Sequence, residues 1–366
     1  MKLPKPDSLY IHIPFCSHIC PYCDFAKVFY RPDWADAYLE TLEEEAKSRH
    51  CGLFSTVYIG GGTPTSLNYE QLDRLLCFAR SHLKDGGEFS IEANPDALDE
   101  KKVSLLARHD VNRVSIGAQS SSKKSLATLG RSHDFEAVLS AITLLRNAGI
   151  TNINVDWMYG FPGQTMEDLQ EDIEAFSSLG VPHLSAYSLI LEEGTAYHAH
   201  GVEPLSDDLQ QDYFDAIIKA LTEKGYQRYE VSNFSLPGYR CRHNLTYWKD
   251  LPYVGLGLSA AGFLDNIRYK NTKSLDKYLK GEYIGDIEDL DEASLLEDYF
   301  LTNLRLLEGF ELSEFEQRFG FSFLSHYEEK AADLIKRGLL VIEDGRVHAS
   351  SRGIDLLDVI LLTLFF

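Results

Sequence analysis

Residues 9–25 read LYIHIPFCSHICPYCDF, and the fold is decided by how that stretch divides. Residues 9–13 form a run of β-branched and aromatic side chains, as a strand does, and the chain then turns at once into Cys16, Cys20 and Cys23. Similar runs recur at 57–59, 89–93, 114–117, 153–158 and 184–191, with helical segments between them, which is the βα rhythm of a parallel sheet. In the second helical segment Leu72, Leu75, Leu76, Ala79 and Leu83 share one face at helical spacing. The fifth opens with Thr165 and Asp168 as a capping pair and stops at Gly180. Six such units are fewer than the eight of a closed barrel, so the predicted fold is α/β, a partial parallel (β/α)6 barrel of TIM type with one open side.

The rhythm fades after 226–234, and an acidic stretch at 285–292 leads into a different pattern. We expect a barrel domain over 1–285 and a C-terminal module over 286–366. The module reads as helices at 295–307, 313–319 and 325–337, then apolar runs at 339–343 and 347–350 around Asp344 and Gly345, a hairpin signal. A small helical, winged-helix-like domain is expected.

Composition narrows the partners. The 366 residues are 44% hydrophobic, ample for a large core, and Lys plus Arg number 35 against 56 Asp plus Glu, a formal charge of −21. A surface that negative repels phosphate backbones, so no nucleic acid is expected as a partner. No leading segment has the form of a secretion signal, and a cytoplasmic protein is expected. The long apolar run at 354–366 is broken by Asp355 and Asp358 and is too short to span a bilayer. It reads as a packed terminal helix, because its polar side lacks the Lys and Arg that interfacial helices carry.

Three of the six cysteines fall within eight residues, and in a reducing compartment such a group argues for metal rather than disulfides. Iron-sulfur cubanes usually take four thiolates. Three on one loop would leave an iron open to an outside chelator. The competing readings are a structural zinc site and three unrelated buried cysteines. Zinc favours four ligands in paired short spacings, whereas here His18 lies inside the loop and no second cysteine pair follows.

The ends of the other strands carry Gly60-Gly61-Gly62-Thr63-Pro64, Glu92, Gln119 and Asp156, with Arg131 beyond. Taken singly, each reads as an ordinary loop residue. Together, a glycine run, carboxylates, an amide and one guanidinium at a barrel mouth form a convergent pocket suited to a zwitterionic amino acid joined to a nucleoside.

These motifs, YIHIPFCSHICPYCDF, GGGTP, IEANP, SIGAQS and VDWMYGFPGQT, resemble those of the radical S-adenosylmethionine proteins related to oxygen-independent coproporphyrinogen III oxidase. The resemblance covers nearly the whole chain. It implies a [4Fe-4S] cluster on Cys16, Cys20 and Cys23 whose open iron is chelated by S-adenosyl-L-methionine. By motif match, Tyr10, Tyr22, Gly61, Gly62, Thr63, Glu92, Gln119, Arg131 and Asp156 would surround that cofactor.

Two branches of the family differ in residues this chain reveals. The oxidase branch has a further cysteine two positions after the third, where Phe25 stands here, and an extension that the few residues before Leu9 do not supply. The HemW-type haem chaperones are similar in CxxxCxxCxF and in an HNxxYW signature, here His243-Asn244-Leu245-Thr246-Tyr247-Trp248. That likeness implies haem as bound cargo and client haem proteins, among them proteins at the inner membrane surface. It makes His243 the candidate haem ligand, near 240–250, with Cys241 as the other candidate. The competing function is oxidative decarboxylation of coproporphyrinogen III to protoporphyrinogen IX.

Overall fold

The computed structural model describes residues 3–366. Six strands, β1 (Ser8–Ile13), β2 (Phe54–Gly61), β3 (Leu83–Ala93), β4 (Arg113–Gln119), β5 (Asn152–Tyr159) and β6 (His183–Ser188), run parallel and adjacent in chain order. The crossovers between them contain α1 (Pro32–Ser48), α2 (Tyr69–Ser81), α3 (Glu100–Arg108), α4 (Phe135–Asn147) and α5 (Met166–Ser177). After β6 come α6 (Asp207–Glu223), β7 (Gln227–Arg228), β8 (Asn233–Ser235), α7 (Arg242–Trp248) and β9 (Val254–Leu256). The nine-stranded sheet has the order β9-β1-β2-β3-β4-β5-β6-β8-β7, and its edges β9 and β7 do not pair, so the predicted partial barrel is open. Strand β9 was not foreseen: it adds a seventh parallel strand, beside β1.

Each crossover helix closes over one face of the sheet. On α2, Leu72, Leu75, Leu76 and Ala79 are all fully buried, each worth up to about 1.5–3 kcal/mol for the larger side chains. Its start is fixed by a capping box in which Asn68 Oδ1 accepts the Gln71 N–H at 2.9 Å. The helix ends at Ser81, so Leu83, expected on its apolar face, instead opens β3. On α5 the Thr165–Asp168 box is present, and the helix ends at Ser177, before Gly180.

The strands bury both faces but with opposite character. Leu9, Ile11, Val57, Ile59, Phe89, Ile91, Val114, Ile116, Ile153 and Val155 join the core under the helices. The alternate phase is polar: Tyr58 lies in register with Ser90, Ser90 with Arg113, Glu92 with Ser115, and Ser115 with Asn154. A strand shows successive side chains to opposite faces, so these polar residues line the barrel's interior.

Beyond β9, three antiparallel strands, β10 (Ala261–Leu264), β11 (Ile267–Asn271) and β12 (Ile284–Asp289), form a small sheet. The acidic stretch anticipated as a connector therefore begins inside a strand. The C-terminal part holds α8 (Glu292–Asn303), β13 (Phe310–Glu311), α9 (Leu312–Phe319), α10 (Glu328–Lys336), β14 (Leu340–Glu343), β15 (Arg346–Ala349) and α11 (Leu357–Phe365). Asp344 and Gly345 both take positive φ, as a two-residue hairpin turn requires, and β13 adds a third strand to the expected hairpin. Helix α11 buries Ile360, Leu361 and Leu364 in the core of this part, the packed terminal helix that was expected. Among the described residues no helix is long and apolar enough to cross a membrane.

Candidate functional site

A cavity of about 530 Å³ runs from the cysteine loop into the polar interior of the barrel. Cys16, Cys20 and Cys23 line its rim, and all are free thiols. The loop is pinned from below, with the Val28 N–H donating to Pro14 O at 2.8 Å, the Tyr30 N–H to Cys16 O at 2.9 Å, and His12 Nε2 bonding Ala26 O at 2.8 Å. Burial holds His12 down to about 4, so its ring stays neutral. The sulfurs have few partners: Thr63 Oγ1 reaches Cys16 Sγ at 3.7 Å, and Cys20 Sγ lies 4.0 Å from Gly130 O. Burial pushes the Cys16 thiol up to about 11 and raises that of Cys23. The three thiols share one wall without converging as a single-ion site; among the described residues no such group of ligands exists.

The glycine run makes this approach possible. A Cβ on Gly62 would stand 2.9 Å from Cys16 Sγ, and one on Gly61, whose φ is +115°, would stand 2.6 Å from the His12 ring. The loop can therefore sit directly on β2 only while these positions lack side chains.

Deeper on the wall, Glu92 accepts from the Gly61 N–H and the Tyr58 hydroxyl, both at 3.0 Å. Burial, and next the charge of Asp156, pushes Glu92 up to about 7. Asp156 accepts from Ser115 Oγ at 2.9 Å and Asn154 Nδ2 at 2.7 Å, and burial raises it as well. Gln119 has a φ of +68° at a bulge where β4 shifts register against β5, which re-aims its amide into the cavity. Arg131 is held by Tyr22 Oη at 3.0 Å and Asn94 Oδ1 at 3.2 Å.

Of the residues singled out in the sequence, the three cysteines, Tyr22, Gly61, Gly62, Thr63, Glu92, Gln119, Arg131 and Asp156 line this one cavity. Tyr10 does not; its ring lies behind Tyr58, with centroids 6.2 Å apart, and its hydroxyl bonds His12 Nδ1 at 3.1 Å. Missed were Arg113, Ser115, Asn154 and Ser185, whose signal was the polar phase of strands otherwise rich in apolar residues.

Helix α7, which carries the HNxxYW signature, packs at the opposite, N-terminal end of these strands. Glu88 accepts the Arg242 and His243 N–H groups, each at 2.9 Å, so a buried carboxylate caps the helix start. The signature's four-residue spacing puts His243 and Tyr247 on one helix face, and they bond each other at 2.8 Å through Nε2. Nδ1 bonds Thr56 Oγ1 at 2.8 Å, and the ring stacks on Tyr58 at 5.1 Å. With 1% exposure and both nitrogens engaged, His243 stands in this structure as a saturated core histidine, held down to about 3 by burial and next by the Arg113 charge. Cys241 is equally sealed, its thiol 3.6 Å from Glu88 and pushed up to about 12 by burial. From this helix Asn244 lines the cavity.

Comparison with known proteins bears on the family. The Radical SAM superfamily matches residues 10–176 and the HemN C-terminal domain matches residues 290–356. The chain is 41% identical to the heme chaperone HemW of Lactococcus lactis subsp. lactis, over 97% of this chain and 96% of that one. It is 35% identical to the heme chaperone HemW of Bacillus subtilis, over 94% and 96%. The solved structure of coproporphyrinogen III oxidase (HemN) from Escherichia coli, a radical SAM enzyme, matches with a TM-score of 0.85 at 25% identity, covering 98% of this chain and 90% of that one. Phe25 and the HNLTYW segment pointed to the same branch, and on this evidence the chain belongs to the HemW family within the radical SAM superfamily.

Proposed function

We propose that this protein is a haem chaperone, which binds haem and passes it to client haem proteins, and that it carries a [4Fe-4S] cluster and S-adenosylmethionine at the cavity rim. The observation that carries the reading is 41% identity, over nearly the full length, to a heme chaperone HemW, together with Phe25 and the HNLTYW segment. The rim suits the cluster: three free thiols on one wall, a glycine cradle under Cys16, and the Lys27 ammonium bonded to the Cys23 and Phe25 carbonyls. When bound, the pair would supply one-electron cleavage of a sulfonium to a 5′-deoxyadenosyl radical.

The chain's own residues have separable tasks in this reading. Cys16, Cys20 and Cys23 give up their protons to become ligands, so metal uptake releases acid. Glu92 and Asp156 offer acceptors to ammonium or hydroxyl groups, Arg131 and Gln119 hold the ligand's opposite end, and the glycine backbone leaves no side chain in the way. We assign haem ligation to His243, with Cys241 as the alternative. Either requires α7 to leave Glu88 first, because both groups are committed to the closed interior. We also assign the protein to the cytoplasm, with clients at the inner membrane surface, and treat 286–366 as a module distinct from the barrel.

The oxidase reading is favoured by the TM-score of 0.85 and opposed by Phe25. Protein reconstituted anaerobically with iron and sulfide is expected to bind about one haem per chain and to leave coproporphyrinogen III unchanged in the presence of S-adenosylmethionine. Rapid formation of protoporphyrinogen IX would reverse the assignment.

A further inference from the structure

Arg113 opens β4 on the polar face of the sheet and is only 1% exposed. Among the described residues its guanidinium has no ion pair or hydrogen bond, its Nε is a buried donor without an acceptor, and the residue lines the cavity. Its register neighbour Ser90 likewise has a buried hydroxyl without a partner. The carboxylates nearby are committed elsewhere: Glu88 to the start of α7, Glu92 to Gly61 and Tyr58, and Asp156 to Ser115 and Asn154. Keeping a cation dry and undirected is costly unless something else completes it.

We infer that Arg113 is the anion subsite of this cavity, where it takes a carboxylate of the bound ligand in two-point geometry. A planar guanidinium matches the two oxygens of a carboxylate. A monoanion fits better than a phosphate dianion, because Glu92 and Asp156 share the cavity and would repel the second charge. The carboxylate is either a porphyrin propionate or the amino-acid carboxylate of S-adenosylmethionine. The inference rests on the proposed function for the identity of these ligands but not for the role of the guanidinium.

The test uses the reconstituted full chain under anaerobic conditions, as wild type, Arg113→Gln and Arg113→Lys. Each is titrated with haem and haem dimethyl ester, and with S-adenosylmethionine and its decarboxylated analogue. Wild type is expected to prefer haem over the diester by roughly tenfold or more, Arg113→Gln to erase that preference, and Arg113→Lys to keep part of it. Erasure in the S-adenosylmethionine pair instead assigns the same subsite to that carboxylate. If wild type binds no haem at all, the chaperone reading falls while the second pair still decides the role of Arg113. Both ratios unchanged from wild type would make Arg113 a structural residue and overturn the inference; Arg113→Lys supplies the ratios if the Gln variant does not fold.

Discussion

The rim and the floor of the cavity use similar side chains and finish them differently. At the rim, the Cys16 sulfur has a distant hydroxyl partner, Thr63 at 3.7 Å, and the Cys20 sulfur lies 4.0 Å from a carbonyl. On the floor, His243 has two partners at 2.8 Å and a stacked ring, and Cys241 is sealed against Glu88. A polar group whose bonds are all made contributes to the fold, whereas one left open in a cavity is held ready for a ligand. By that criterion the rim is a binding surface as it stands. The floor stabilises the closed barrel, and in the proposed reading it binds haem through His243 only after α7 moves; Arg113 is the floor's exception.

The largest expected effect tests the rim. Cys20→Ser should lower iron and acid-labile sulfide after reconstitution from near-stoichiometric to near zero, while shifting the unfolding free energy of the metal-free protein by less than about 1 kcal/mol. Retention of the cluster in that variant would break the contrast from one side. The floor should respond the other way. His243→Ala leaves the Tyr247 hydroxyl without its partner, strips one of two bonds from the Thr56 hydroxyl and opens a cavity, so urea unfolding should show a loss of roughly 3 kcal/mol before any haem is added. Little loss of stability, together with loss of haem, would show the imidazole to be a ready ligand rather than a packed one.

Two smaller effects sharpen the picture. Burial holds Glu92 up to about 7 against an ordinary 4.5, so the folded chain keeps a proton that the unfolded chain releases between those values. Its contribution to stability is complete below about pH 4.5 and lost as pH rises through about 7. The unfolding midpoint should therefore fall more steeply over that window in wild type than in Glu92→Gln, and parallel curves would contradict the assignment. Tyr247→Phe removes one bond to His243 Nε2 and should cost about 1 kcal/mol in the same assay.

The parts legible in the sequence are those with strong local signals. The apolar runs of β1 to β6, the face of Leu72, Leu75, Leu76 and Ala79, the Thr165–Asp168 box and the Asp344-Gly345 turn all follow from short-range chemistry. Strand β9 is three residues long, too short for periodicity to register, and it joins the sheet only because β1 offers an open edge. The residues at strand ends were found because polar side chains there stand out. Asn154 and Ser185 sit inside strands and Arg113 at the start of one, where alternation normally means a solvent-facing side; only closure of the sheet around them turns that side into an interior. The lock on His243 was hidden because its partners, Thr56 and Tyr58, lie on a distant strand.

The central claim is that the rim holds a cluster with one iron open to an outside ligand. Electron paramagnetic resonance of the reduced, anaerobically reconstituted protein, recorded before and after adding S-adenosylmethionine, tests it most directly. The account predicts a cluster signal whose g-values change on addition. A signal indifferent to the addition, or no cluster signal in protein with full iron and sulfide content, would contradict it.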